Sequence, residues 1–168
     1  MSLHARRLAT AALGALGTLD AFYMLMYDEG LIEHLVCPFF GEGCNIVGRS
    51  KHAKHLGIPN AVVGALGYTG MATLALWAGN KPPRQRPLQP LTQAALATVF
   101  AGTSAFLIYE MKYKVHAWCF WCLMSAGINF TLLPLSLADV KEAWGTVRAQ
   151  RAKEVIRERV KEDLWFGT

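Results

Sequence analysis

Charge is scarce in this sequence. Asp, Glu, Lys and Arg make up 17% of its 168 residues, against about 25% in ordinary soluble domains. Alternation of apolar and polar residues is also missing, which argues against half-buried strands and against a transmembrane β-barrel. There is no internal repeat and no low-complexity tract, so neither a solenoid nor a compositionally disordered segment fits. No clean A-x-A site follows the first apolar run. The basic start "MSLHARR" therefore reads as the flank of a retained helix rather than of a cleaved signal peptide.

Hydrophobic residues are abundant, at 53%, and mean hydropathy is +0.24. They collect in four stretches, about 8–27, 57–79, 91–109 and 117–138, each near the roughly 20 helical residues that cross a bilayer core. Few polar residues interrupt them: Asp20, Asn60, Gln93, Asn129 and scattered Thr and Ser. Helices satisfy their own backbone in lipid, so the expected fold is all-α, an integral membrane four-helix bundle over residues 1–138. Small residues in "GALGTL" and "VVGALGYTGMA" would let helices approach closely. "NKPPRQRPLQP" (80–90) reads as a short Pro-rich turn between helices two and three.

Lys and Arg are unevenly placed. Twelve lie before helix one, between helices two and three, and after helix four; five lie in the other two loops. The positive-inside rule then predicts a multi-pass protein of the cell inner (cytoplasmic) membrane with both termini cytoplasmic. Residues 139–168 form a charged cytoplasmic tail. Within it, Ala143, Val147, Val155, Ile156, Val160 and Leu164 predict an amphipathic C-terminal helix lying along membrane lipid. The formal charge of +5 is accounted for by these inner basic segments, and no nucleic acid partner is expected.

All four cysteines fall on the predicted outer side. Cys37 and Cys44 sit in "VCPFFGEGCNIVGRS", and Cys119 and Cys122 in "HAWCFWCLM", where helix four begins. A C-x6-C pair in a loop-like segment can oxidise and still move, and "PFFGEG" offers Gly41 and Gly43 to relax the backbone. A C-x2-C at a helix N-terminus has its thiolate favoured there, and the thiolate is the form that exchanges. Three readings stand at this point: redox exchange, two inert structural disulfides, and a four-cysteine zinc site, for which C-x6-C is a poor knuckle. The tryptophans around the CxxC also suit an interfacial belt, and His34, His52, His55 and His116 read as loop residues.

The chain resembles the vitamin K epoxide reductase family in its bacterial stand-alone form. The resemblance rests on the loop pair Cys37 and Cys44, on Ser50 six residues later, on "GIPNAVVGALGY" (57–68) with Asn60 and Tyr68, and on "CFWC" at helix four; it spans about 8–138. It implies a membrane thiol oxidoreductase that reoxidises a thioredoxin-like envelope protein and passes the electrons to quinone, a role similar to that of the unrelated oxidase DsbB. By resemblance Cys37 meets the partner, Cys44 relays between Cys37 and Cys119, and Cys122 faces the quinone, menaquinone or ubiquinone. No metal is implied. Many bacterial members carry a fused thioredoxin-like domain. This chain ends in a charged tail, so a separate DsbA-like partner is expected. The vertebrate enzyme has a tyrosine four residues after its second CxxC cysteine; Ala126 stands there, which weakens the alternative of a quinone or vitamin K epoxide reductase driven by partner thiols. A tetraspan protein with inert disulfides is the reading from outside enzymology.

Reduction puts negative charge on a quinone carbonyl, and a hydrogen-bond donor stabilises it. Asn60, near the outer end of helix two, is the expected donor. Ser50 is expected either to cap an outer-loop helix or to donate near the ring. Asp20 has no counterpart in the resemblance.

Overall fold

The computed structural model describes residues 1–55, 57–79 and 88–166. Helices dominate it: α1 (Leu3–Asp28), α2 (Gly43–Arg49), α3 (Asn60–Ala78), α4 (Leu88–Glu110) and α5 (Phe120–Phe166). Between α2 and α3 lie a 3-10 turn (Lys51–Ala53) and a two-stranded antiparallel hairpin, β1 (Lys54–His55) and β2 (Ile58–Pro59), with Lys54 opposite Pro59. A π-helical turn (Met111–Val115) extends α4 towards α5. Four of these helical segments are long and apolar enough to cross a membrane: Leu3–Asp28, Asn60–Ala78, Leu88–Val115 and Phe120–Gly145.

The helix bounds differ from the hydropathy reading for local reasons. Ser2 caps α1 by accepting from the Ala5 N–H at 3.2 Å, so the helix takes in "LHARR" and starts at Leu3 rather than near residue 8. The second long helix starts at Asn60 rather than 57, because Ile58 and Pro59 are extended in the hairpin. The third begins at Leu88, so the last three residues of the expected linker are helical; residues 80–87, with Lys81, Arg84 and Arg86, lie outside the described residues. The fourth begins at Phe120 rather than 117, after His116 turns the chain with a left-handed φ of 54°. It then runs without a break through 139–166 and carries Pro134 inside it. Proline removes one helix hydrogen bond, a loss that membrane helices tolerate where neighbours compensate. In the expected amphipathic tail, Ala143 is buried and Val155 and Ile156 are exposed. The side chains of Val147, Val160 and Leu164 lie outside the described residues.

The helix α1 packs chiefly along α3, and α4 along α5. Ala21, Tyr68, Met71, Ala97, Ile128 and Leu132 form the central core. Gly17 makes the α1–α3 approach possible, since a Cβ there would come within 2.6 Å of the Tyr68 ring. At the end of the bundle that holds both α1 and α3 termini Leu3 and Ala78, Arg6 Nε donates to Asp139 at 2.7 Å and a second Arg6 nitrogen donates to Glu142. Arg7 donates to the Gly79 carbonyl at 2.7 Å. These bonds clip α1, α3 and α5 together at the end opposite the cysteines. Outward-facing Leu19, Phe22, Leu66, Leu76, Val99 and Phe106 are exposed, as side chains facing lipid would be.

Candidate functional site

A second core cluster, at the other end, holds the cysteines: Leu35, Cys44, Val47, Met111 and Cys119 are buried together. Cys37 and Cys44 form a disulfide with a Cα–Cα distance of 5.7 Å. Cys119 and Cys122 are free thiols, the first fully buried and the second half-buried. The two pairs meet at the start of α5. The Phe120 N–H points at Cys44 Sγ at 3.3 Å, and the Cys122 N–H points at Cys119 Sγ at 3.2 Å. Orphan amides of a helix N-terminus thus face one sulfur of each pair. Hydrogen bonding by the Cys122 thiol, with help from backbone amides, holds the Cys119 thiol below its ordinary range against the opposing effect of burial.

The contact between α2 and the CxxC is as close as two backbones allow. A Cβ on Gly43 would lie 2.2 Å from the Trp118 carbonyl oxygen. Gly43 therefore acts here as a point of approach rather than as the loosening element expected of it. Gly41, with a φ of 53°, is the loop residue that needs glycine's conformational range.

The segment before Cys37 is tied down on both sides. The Val36 N–H donates to Tyr23 Oη at 3.0 Å, and Trp121 Nε1 donates to the Val36 carbonyl at 2.8 Å. Asn45 Oδ1 accepts from the Leu35 N–H at 2.8 Å. Trp121 is thus a clamp on the loop as well as an aromatic at the CxxC, a role that a belt reading does not supply. Cys37 is half-buried while Cys44 has no exposed surface. Only the first of the pair can meet another protein without rearrangement.

Beneath the CxxC lies a cavity of about 360 Å³ between α1, α3, α4 and α5, lined by Cys122, Asn60, Ser50, Asp20 and Tyr68 among mainly apolar side chains. Asn60 is the first residue of α3, and one N–H of its amide donates to the His52 carbonyl at 3.0 Å. That leaves the second amide hydrogen for a ligand. The Ser50 hydroxyl donates to the Val47 carbonyl at 2.7 Å, which ends α2; its proton is used as a cap although the residue lines the cavity. His52 is not a plain loop residue: its Nδ1 pairs with Glu110 Oε1 at 2.8 Å beside the cavity. Phe39 and Phe40 are exposed on the outer surface, Phe39 packing its ring 5.5 Å from that of Phe120, and neither lines the cavity. The segment from Val47 to Ala53 covers it instead. Ala126 is buried and does not line it either.

Ser125 escaped a purely linear reading. One helical turn past Cys122, it donates its hydroxyl to Asp20 Oδ2. The Tyr68 hydroxyl donates to the Ser125 carbonyl at 3.1 Å. The one available signal was an aspartate in an apolar run, because intramembrane ionisable residues are rarely idle.

A site with these features can accept a flat, lipid-soluble molecule. Its walls are apolar, its volume falls within the range of small-ligand pockets, and its polar groups converge near one sulfur. The chain is 32% identical over 127 residues to the "Thiol-disulfide oxidoreductase LTO1" of Arabidopsis thaliana, covering 73% of this chain and 34% of that protein. The chain thus spans about a third of that relative's length. The sequence profile of the vitamin K epoxide reductase family matches residues 8–137, the whole stretch that builds the bundle and both cysteine pairs, and the chain belongs to that family.

Proposed function

We propose that this protein is a quinone-dependent thiol–disulfide oxidoreductase of the cell inner membrane, which reoxidises a thioredoxin-like envelope protein. The carrying observation is the seat of Cys44 Sγ against the Phe120 N–H, one residue from Cys119, with Cys122 of the same turn lining the cavity. Cys37 and Cys44 would face the outer compartment, with both termini cytoplasmic, as the twelve-to-five division of Lys and Arg suggests.

Each step is a thiolate attack on a disulfide sulfur. The partner's thiolate attacks the half-buried Cys37, and Cys44 leaves into the pocket of backbone amides at α5. The partner's second thiol resolves the mixed disulfide. Reduced Cys44 then attacks the oxidised Cys119–Cys122 pair at Cys119 and frees Cys122 at the cavity wall. Cys37 closes back on Cys44 and releases Cys119. A bound quinone, menaquinone or ubiquinone, supplies the two-electron oxidising capacity that restores the Cys119–Cys122 bond. Asn60 would donate to a ring oxygen as it gains charge, and Cys122 and Asn60 would hold the ring between α3 and α5. Ser50 contributes by fixing the end of α2 over the cavity. Ala126, standing where the vertebrate enzyme has a tyrosine, offers no phenol, and this favours quinone reduction over epoxide reduction.

The test is direct. Purified protein in detergent, given a reduced thioredoxin-fold protein and a soluble quinone, should form quinol and oxidised partner in equal amounts. A Cys119→Ala, Cys122→Ala double variant should form no quinol and oxidise at most one equivalent of partner, through its Cys37–Cys44 disulfide. Repeated partner oxidation, beyond the equivalents that the protein's own disulfides supply, without quinol would overturn the quinone assignment.

A further inference from the structure

We propose that Asp20 is a catalytic proton carrier, taking the proton of the Cys122 thiol and delivering it to the oxygen of the bound quinone. This inference rests on the quinone reading above and assigns a role to a group which that reading leaves idle.

Asp20 lies in the middle of the first membrane helix and is 3% exposed. It lines the same cavity as Cys122 and Asn60. One carboxylate oxygen, Oδ2, is held by the Ser125 hydroxyl; the other, Oδ1, is buried and has no hydrogen-bond partner among the described residues. A purely structural bridge between α1 and α5 would need one acceptor, which an asparagine or a second serine supplies without placing an ionisable group in hydrocarbon. Retaining a carboxyl with one oxygen fixed and one without a partner is the arrangement of a group that binds and gives up a proton.

Its neighbours place it correctly. Ser125 follows Cys122 by three residues on α5, so the two side chains share a helix face one turn apart. The Tyr68 hydroxyl fixes the Ser125 carbonyl from α3, and Gly17, one turn before Asp20 on α1, admits the Tyr68 ring. The carboxyl thus sits buried on the wall of the same cavity that Cys122 lines.

The balance is as follows. The two thiols of Cys119 and Cys122 together carry two electrons and two protons beyond their disulfide, and a quinone takes up two of each to become quinol. The Cys122 S–H bond breaks, its proton passes to the Asp20 carboxylate, and the carboxyl then gives a proton to a ring oxygen. As the Cys119–Cys122 bond closes, the Cys119 proton accounts for the second quinol hydroxyl. Asp20 ends as it began.

The experiment compares wild type, Asp20→Asn, Asp20→Glu and Ser125→Ala. Each is purified in detergent, pre-reduced and mixed with quinone for a single turnover, with bound quinone measured by extraction. Positioned proton transfer contributes about a hundredfold or more. Asp20→Asn should bind quinone normally and exchange Cys44 with Cys119 normally, yet form quinol at least about a hundredfold more slowly. Asp20→Glu should recover part of the rate, and Ser125→Ala should lose a smaller part. In quinone-free protein, infrared difference spectra between the dithiol and disulfide states of the CxxC should show a carboxyl band that Asp20→Asn lacks. A wild-type rate in Asp20→Asn overturns the proposal. So does loss of bound quinone in proportion to lost rate, which would make Asp20 a binding residue. Should Asp20→Asn not fold, a wild-type rate in Ser125→Ala overturns it as well. Failure of wild type itself to form quinol would instead sink the quinone reading and this inference with it, whereas turnover indifferent to Asp20 sinks only the inference.

Discussion

Cys44 is buried on every side, yet its sulfur touches the first amide of the helix that carries Cys122. This position makes a specific demand on the single-cysteine variants. Cys122→Ala leaves Cys119 without its resolving neighbour, so Cys44 should accumulate bonded to Cys119, visible by non-reducing peptide mapping. A free Cys44 in that variant would mean that the relay runs in another order. Asn60→Ala should act elsewhere. Losing one hydrogen bond to a developing oxyanion costs about 3 kcal/mol, or roughly a hundredfold in quinol formation, while oxidation of the partner by the loop pair stays intact. Unchanged quinone kinetics would reduce Asn60 to the holder of the His52 carbonyl. The cysteines were legible in the sequence because their spacing survives without any knowledge of the fold. Asp20 was visible only as an oddity. Its partner Ser125 is 105 residues away, and no local pattern links a serine in one apolar run with an aspartate in another.

Among the elements, α2 is the one that decides whether the loop pair can reach the CxxC. It has only seven residues, too short to persist alone, and is held by burial of Cys44 and Val47 and by the bonds of Asn45. Gly43→Ala should therefore be severe for its size. The new Cβ meets a backbone carbonyl at Trp118, which cannot swing aside as a side chain can. Overpacking of this kind costs roughly 1–3 kcal/mol. The Cys37–Cys44 disulfide should still form, but transfer between Cys44 and Cys119 should slow at least about tenfold in a rapid-quench assay. Normal transfer with normal stability would show that α2 moves freely against the CxxC. The long helices were legible from hydropathy to within about five residues, except for the end of α5, which runs on past 138 to Phe166, since burial in lipid depends on composition more than on order. The short elements were less so: an outer-loop helix ending at Ser50 was expected without its bounds, while the hairpin and the π-helical turn left no pattern in the sequence.

At the scale of the whole molecule, the bundle has two unlike ends. One gathers four cysteines around an apolar cavity; the other clips α1 to α3 and α5 through Arg6 and Arg7. Contacts within the bundle do not say which end faces the cytoplasm, because the same packing is satisfied in either orientation. Basic residues in the connecting segments carry that information. Twelve Lys and Arg fall in the sequence before the first apolar stretch, between α3 and α4 and after the fourth apolar stretch, and five in the two segments that flank the cysteines, at Arg49, Lys51, Lys54, Lys112 and Lys114. The positive-inside bias predicts that reporter fusions after residue 85 report a cytoplasmic location and fusions near residue 113 an external one. The chemistry needs the same orientation for an independent reason. Glutathione and thioredoxin keep cytosolic thiols reduced, whereas envelope compartments let disulfides persist. A cysteine end facing inward would have each disulfide it made reduced again by those pools, and no net oxidation would accumulate. The opposite fusion pattern would therefore end the proposed direction of electron flow, even if purified protein exchanged disulfides with quinone in detergent.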